Sequence, residues 1–277
     1  MSERVISADE YCQFRDYLAD VTGIVLGDNK HYLVSSRLNR LMEDTGFESY
    51  HKLLQSVKSP TNNTLREKVI DAMTTNETMW FRDTYPFEIL KSELLPELAK
   101  KNNGSVRVWS AACSSGQEPY SISMIAHELT SSTPGVLTQG VEVVGTDISS
   151  SMLMYCKQAA YDKSAINRGL SEERKQRFFN QNDDYWEVKP EIKRRVNFKS
   201  LNLQQSYSSL GKFDIIFCRN VLIYFSSESK TDILTRMSEV LKPGGYLFLG
   251  SSETPTRYTQ LYKMVRTPKG VIYQYQP

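Results

Sequence analysis

The segment AACSSGQEPYS at residues 111–121 has the residue types of a ligand-binding corner between a strand and a helix. Its small residues, Gly116 among them, would let a nucleotide-like ligand press against the backbone. The segment lacks the G-x-G-x-x-G spacing of a pyrophosphate site, and Glu118 puts a carboxylate at the helix N-terminus, where a phosphate would otherwise bind. A carboxylate repels phosphates and attracts cations. The corner therefore favours an uncharged or cationic nucleoside, such as S-adenosylmethionine with its sulfonium.

Asp147 is a second candidate, because it follows the apolar run at residues 141–146, which predicts a strand. A carboxylate at such a strand end can accept hydrogen bonds from both hydroxyls of a ribose. The alternative interpretation is that Asp147 caps the helix predicted over residues 149–161.

Two further strand ends carry polar pairs. Asn202 and Leu203 follow the third predicted strand, where an amide beside an apolar side chain suits the edge and face of an adenine, and a plain turn is the alternative. Arg219 and Asn220 follow the run at residues 213–218. A strand that is buried on both faces rarely ends in an arginine and an amide unless these side chains bind a polar group. Since ligands of open α/β sheets bind beyond the carboxyl ends of the strands, these pairs predict one pocket.

The elements that must position these residues fall into two regions of different periodicity. Up to about residue 75, apolar residues recur at helical spacing, which predicts an all-helical domain over residues 1–75. From residue 106 onward, predicted strands alternate with predicted helices, as in a doubly wound, mostly parallel sheet of the Rossmann type. The predicted fold class is therefore α/β, with the second domain covering residues 76–277.

Two hairpins are predicted beside this alternation. One joins residues 262–266 to 271–275 and adds antiparallel strands to an edge of the sheet. The other joins residues 185–188 to 192–198 around Lys189-Pro190-Glu191. We expect it to form a small antiparallel β-subdomain inserted at about residues 183–198, serving either as surface decoration or as a docking surface.

Composition argues against several classes of function. The chain has 277 residues, of which 40% are hydrophobic and 24% charged, and its net charge of +2 gives no global signature of nucleic-acid binding. Three histidines form no ligand cluster, and four cysteines show no C-x-x-C spacing, so we expect no metal and no disulfide frame. The polar start at residues 1–4 is unlike a signal peptide, and no apolar run approaches membrane-spanning length. We expect a cytoplasmic protein that does not insert into membranes.

Three motifs, taken in order, closely resemble the CheR family of chemotaxis receptor glutamate methyltransferases. They are TNETMWFRD at residues 75–83, GQEPYS at residues 116–121 and CRNVLIYF at residues 218–225. The resemblance covers nearly the whole chain, including the helical region. It implies a Rossmann-like domain that uses S-adenosylmethionine to form glutamate methyl esters on the cytoplasmic helices of methyl-accepting receptors, leaving S-adenosylhomocysteine.

The resemblance also implies roles for individual residues. Asn76, Thr78 and Arg82 would come from the linker between the domains and close over the cofactor. Glu118 would lie by the methionine end of the cofactor and Asp147 by its ribose. Asn202 and Leu203 would flank the adenine, and Arg219 and Asn220 would complete the pocket. Arg82 and Tyr224 would lie nearest the transferring methyl and are the candidate catalytic residues.

The residue inventory agrees with a carboxylate acceptor. A glutamate side chain, with a pKa of about 4.3, is ionised at neutral pH and needs no general base. Arg82 could hold that carboxylate by a bidentate contact, while Tyr224 could orient an oxygen or the methyl. The [N/D]-P-P-[Y/F] segment of adenine amine methyltransferases and the Pro-Cys nucleophile of cytosine C5 enzymes are both missing after the fourth strand. The alternatives are an RNA or small-molecule methyltransferase and a non-catalytic cofactor-binding scaffold.

Receptor docking is expected to use the helical domain. Arg37 and Arg40 are three residues apart on one predicted helix face, and in this family the corresponding helix meets the acidic receptor coiled coil. A solvated basic face is the alternative. Relatives that bind a receptor-tail peptide through the inserted hairpin carry a longer, glycine-containing loop than residues 180–184 of this chain. We therefore expect that the protein does not depend on a peptide tether. We also expect a monomer.

Overall fold

The computed structural model describes residues 5–59 and 61–277. The polar start at residues 1–4, on which the signal-peptide expectation rests, lies outside the described residues. Within the described ranges, no helix combines the length and the apolar character needed to cross a bilayer.

The all-helical N-terminal domain predicted from the periodicity is confirmed. Its helices in the described part of the chain are α1 (Ala8–Thr22), α2 (His31–Thr45), α3 (Tyr50–Lys58) and α4 (Asn63–Met73). Ser7 begins α1 with a capping box, since its hydroxyl accepts from the Glu10 N–H while the Glu10 carboxylate accepts from the Ser7 N–H. The domain has its own apolar core, to which Leu18, Val34 and Val57 contribute fully buried side chains.

The remaining helices and strands form the second domain. The helices are α5 (Tyr85–Ile89), which runs through a π-helical turn into α6 (Leu95–Lys101), then α7 (Gln117–Ser132), α8 (Ser150–Gln158), α9 (Lys163–Ile166), α10 (Glu172–Phe178), α11 (Pro190–Lys193) and α12 (Ser227–Val240). The strands are β1 (Ser105–Ala111), β2 (Gly140–Asp147), β3 (Ala160–Asp162), β4 (Phe179–Asn182), β5 (Tyr185–Val188), β6 (Val196–Ser200), β7 (Phe213–Cys218), β8 (Leu241–Leu249), β9 (Tyr262–Arg266) and β10 (Val271–Tyr275).

The main sheet confirms the predicted α/β class. Its strand order is β6-β2-β1-β7-β8-β10-β9, with parallel pairing from β6 through β8 and an antiparallel β9–β10 hairpin at one edge, as predicted. The strand order reverses between β1 and β7, because the chain proceeds from β1 outward through β2 to β6 and then returns to β7. The carboxyl ends of the strands at this reversal are where α/β sheets bind ligands.

The predicted position of the inserted hairpin was wrong. β5 pairs with β4 and with β3 in a separate antiparallel sheet, so the hairpin turn is Asp183-Asp184 rather than Lys189-Pro190-Glu191. Pro190 instead lies in the first turn of α11, a position where its missing N–H has no helical partner to lose. Residues 196–200 join the main sheet beside β2. The helix predicted over residues 149–161 also ends earlier, because Ala159 adopts a left-handed conformation with a φ of 52°.

Direct hydrogen bonds hold the helical domain against the second domain. The Asp71 carboxylate on α4 accepts from the Ser149 hydroxyl at 2.7 Å and from the Ser150 hydroxyl at 3.2 Å, at the start of α8. The backbone N–H of Val25 donates to the carbonyl of Tyr224 at 2.9 Å. The helical domain therefore lies over the carboxyl edge of the main sheet.

Candidate active site

A cavity of about 500 Å³ lies at the carboxyl edge of the sheet, beneath the helical domain and the linker at residues 73–77. Its volume is within the range of small-molecule sites. Of the residues predicted to form the site, the cavity is lined by Arg37, Asn76, Asp147, Asn202, Leu203, Arg219, Asn220 and Tyr224. The other predicted residues, all in the described part of the chain, lie outside the cavity wall; they are Arg40, Thr78, Arg82 and Glu118.

Asp147 ends β2 with its side chain facing the loop after β1. The residue is 6% exposed, and its carboxylate accepts from the backbone N–H groups of Ser114 at 2.7 Å and Ser149 at 2.9 Å. Burial raises the pKa of Asp147, although these backbone hydrogen bonds oppose the shift. Ser149, and not Asp147, is the cap residue of α8, because its hydroxyl accepts from the N–H of Met152. Asp147 thus braces both loops that flank the cavity.

Gly116 does not line the cavity, contrary to the expectation that it lets a ligand approach. It has a φ of 95°, and a Cβ there would lie 3.1 Å from both Cys156 Sγ and Tyr161 Oη. The glycine is needed for packing the corner against α8 and β3. Ala112 and Ser114 form the cavity wall in its place.

Arg219 connects three parts of the site. Its side chain is 1% exposed and donates to Glu118 Oε2 at 3.0 Å, to Asp83 Oδ2 at 2.6 Å and to the carbonyl of Arg82 at 2.9 Å. Glu118 also accepts from the Ser110 hydroxyl at 2.8 Å. One guanidinium between two carboxylates leaves an excess negative charge at the end of β1 and β7. Glu118 thus contributes to the site through Arg219 rather than through the cavity wall.

Two buried polar atoms among the described residues lack a hydrogen-bond partner within the chain and belong to the cavity wall. They are Arg219 Nε, a donor, and Asn220 Oδ1, an acceptor. Native structures rarely leave buried polar atoms unpaired, so this pair indicates a ligand with both donors and acceptors.

Glu253 supports the site and was missed by the sequence argument. Its Oε2 accepts from the backbone N–H groups of Asn220 and Gly250, both at 2.7 Å, and its Oε1 accepts from that of Ile223 at 3.3 Å. Asn220 has a φ of 58°, a left-handed conformation that costs free energy and that these bonds help to hold. Glu253 follows β8 at the same carboxyl edge, so the rule that selected Asp147 could have found it.

Arg82 lies in a tight turn whose neighbours Phe81, Asp83 and Thr84 all have positive φ, at 50°, 66° and 54°. Such a run of strained residues is a mark of functional segments. The Arg82 side chain donates to the carbonyl of Glu77 at 3.2 Å. The structure thus brings the backbone of Arg82 to Arg219, while its side chain stays outside the cavity wall.

Asn202 serves as a turn residue as well as a wall residue. Its Oδ1 accepts from the N–H of Gln204 at 2.9 Å, as in an Asx turn, and its Nδ2 donates to the carbonyl of Val21 at 2.9 Å. One amide hydrogen and one oxygen lone pair remain for a ligand.

The two arginines predicted for docking do not share an exposed face. Arg40 is exposed, whereas Arg37 is half-buried and turned toward the cavity. The spacing placed them on one side of α2, but it could not show that the linker covers part of that side. Docking through Arg37 is therefore not supported by its position.

Comparisons with known proteins identify the family. Residues 9–74 match the CheR methyltransferase all-alpha domain, and residues 76–271 match the CheR methyltransferase SAM binding domain. The chain is 56% identical to the chemotaxis protein methyltransferase Cher2 of Pseudomonas putida over 96% of this chain and 97% of that one. It is 57% identical to chemotaxis protein methyltransferase 1 of Pseudomonas aeruginosa, over 94% and 96%. It is 50% identical to the chemotaxis protein methyltransferase of Vibrio parahaemolyticus, over 99% of each chain.

These matches agree with the cavity, whose unpaired buried donor and acceptor suit a nucleoside ligand. The chain belongs to the CheR family and is an S-adenosylmethionine-dependent methyltransferase of chemotaxis.

Proposed function

We propose that the protein transfers a methyl group from S-adenosylmethionine to glutamate side chains on the cytoplasmic helices of chemotaxis receptors. The observation that carries this proposal is the charge distribution of the cavity. The cavity wall contains the carboxylates of Glu77 and Asp147 as well as the cationic side chains of Lys30, Arg37 and Arg219, and the carboxylates of Glu118 and Asp83 lie beside it on Arg219. A cationic methyl donor and an anionic acceptor would each meet the opposite charge.

The cavity offers a place for each part of the cofactor, which when bound supplies an electrophilic methyl on its sulfonium. Asp147 would accept from the ribose hydroxyls, and Asn202 with Leu203 would contact the adenine. Asn220 Oδ1 would accept from the amino group of the methionine portion, because it is a buried acceptor without a partner among the described residues. Asn76 and Thr78 would complete the cover from the linker.

The acceptor explains why the cavity wall contains no histidine. None of His31, His51 and His127, all in the described part of the chain, lines it. A glutamate with a pKa of about 4.3 is already ionised, so its carboxylate can attack the methyl without losing a proton to a base. Rate enhancement then rests on alignment, an effect of roughly 7–11 kcal/mol at most.

Two residues would align the acceptor. Tyr224 lines the cavity, and its backbone carbonyl is fixed by the Val25 N–H, so its phenol can orient a carboxylate oxygen or the methyl. Arg82 would hold the acceptor carboxylate from the strained turn next to the cavity, which requires its guanidinium to exchange the Glu77 carbonyl for the substrate. We place receptor docking on the exposed Arg40.

The small β-sheet is not needed as a tether site in this proposal. The β4–β5 hairpin turns through Asp183-Asp184 alone, a connection too short to form the longer, glycine-containing loop of relatives that bind a receptor-tail peptide.

The proposal is tested by incubating the full chain with methyl-labelled cofactor and a panel of receptor cytoplasmic fragments, followed by alkali. A methyl ester releases volatile labelled methanol. An alkali-stable methylated product would indicate an RNA, amine or other acceptor instead, and cofactor binding without transfer to any fragment would indicate a scaffold.

A further inference from the structure

We infer that Arg37 is a positioning residue for the cofactor cavity: it holds the linker at residues 73–77 in place as the cover of that cavity. The inference concerns the cofactor, and does not depend on which acceptor receives the methyl. It also replaces the docking role expected of Arg37 from its spacing to Arg40.

The first support is the set of contacts that Arg37 makes. Its Nη1 donates to the carbonyl of Met73 at 2.7 Å and to that of Thr74 at 3.2 Å, and its Nη2 donates to Thr75 Oγ1 at 3.1 Å. Met73 is the last residue of α4, where helix carbonyls have no helical partner. A planar guanidinium can serve three acceptors at once, whereas an ammonium on a flexible stem cannot hold the same geometry.

The second support is where the held segment goes next. Residues 73–77 all line the cavity, and the carbonyl of Asn76 accepts from the Ser114 hydroxyl at 2.9 Å. The N–H of the same serine donates to Asp147. The linker is therefore fixed at one end by Arg37 and at the other by the loop that holds Asp147.

The third support is the environment of the guanidinium. Burial lowers the pKa of Arg37, and Arg37 lines the same cavity as the candidate catalytic Tyr224, so the guanidinium belongs to the site. An arginine used to dock an acidic helix would be expected at the surface, as Arg40 is.

The test measures cofactor affinity in the absence of any receptor. S-adenosylhomocysteine is titrated calorimetrically into the full-length wild type and into the variants Arg37→Ala, Arg37→Lys and Arg40→Ala. Loss of three hydrogen bonds from a charged donor should weaken binding at least about tenfold in Arg37→Ala. Arg37→Lys should bind with intermediate affinity. Arg40→Ala should stay within about twofold of wild type, whatever it does to docking.

Hydrogen exchange supplies a second readout, because a general loss of folding would speed exchange throughout the helical domain and not only at the linker. In Arg37→Ala, the Thr74 N–H, which donates to the Ile70 carbonyl at 2.9 Å, should exchange faster, with α1, α2 and α3 protected as in wild type. Wild-type affinity in a folded Arg37→Ala variant would overturn the inference, as would an equal loss of affinity in Arg40→Ala. If Arg37→Ala does not fold, the lysine variant decides, and wild-type affinity there would equally overturn it.

Discussion

Replacing Arg219 by methionine removes the charge that connects Glu118 with Asp83. The guanidinium is 1% exposed and donates to both carboxylates, at 3.0 Å and 2.6 Å, while the Glu118 and Asp83 side chains are 13% and 35% exposed. Breaking a buried ion pair from one side costs about 3–5 kcal/mol, because it leaves an uncompensated charge. Since water can still reach Asp83, we expect the lower end, about 3 kcal/mol.

That loss is large enough to measure by thermal unfolding. For a chain of this size it corresponds to a fall in the unfolding midpoint of roughly 6–12 °C. The informative control is the double variant Arg219→Met with Glu118→Gln, which also removes the uncompensated carboxylate. We expect it to regain at least about 1 kcal/mol of the loss, measured by urea unfolding at neutral pH.

Two outcomes would refute this reasoning. A cost below about 0.5 kcal/mol for Arg219→Met would mean that the guanidinium is not the partner of these carboxylates. A double variant less stable than the single one would mean that Glu118 is not the charge left uncompensated.

Three further predictions test other parts of the structure. Glu253→Gln should slow methyl transfer about tenfold or more, because a neutral amide cannot accept from the backbone N–H groups of Asn220, Ile223 and Gly250 as the carboxylate does. The matched control is Glu239→Gln, at an exposed position. Equal rates for the two variants would contradict the role of Glu253. Burial lowers the pKa of His127, and so do nearby arginine charges that Glu191 only partly offsets. As the pH falls below about 7, the unfolded state therefore binds more protons than the folded state, and the free energy of unfolding decreases. The unfolding midpoint of His127→Gln should therefore fall less between about pH 7 and 5 than that of wild type, and parallel curves would contradict this. Calorimetry with a receptor-tail pentapeptide should show no tight binding; nanomolar or micromolar affinity would contradict tether independence.

The sequence predicted the site best where a residue's place follows from topology. Asp147, Asn202 and Arg219 each lie at the end of a predicted strand. Because the carboxyl ends of parallel strands meet at one edge of the sheet, the sequence alone could place the three residues together at the cavity. The β9–β10 hairpin was equally predictable, because its two apolar runs flank a short turn.

The predictions were wrong where one local sequence pattern is compatible with two different tertiary arrangements. Pro190 favours both a turn and the first turn of a helix, and the alternation in β5 does not show that its partners are β3 and β4 rather than the following segment. Spacing placed Arg37 and Arg40 on one side of α2, but the covering of that side by the linker is a long-range contact. Glu118 was singled out as a charge at the corner, and only the structure shows that its carboxylate accepts from Arg219.

The central claim is that the acceptor is a glutamate carboxylate, and mass mapping of a methylated receptor fragment tests it most directly. After incubation with the full chain and cofactor, we expect single methyl groups on glutamate residues of the receptor helices, removable by mild alkali. Methyl groups found only on lysine, cysteine or another alkali-stable position would contradict the account.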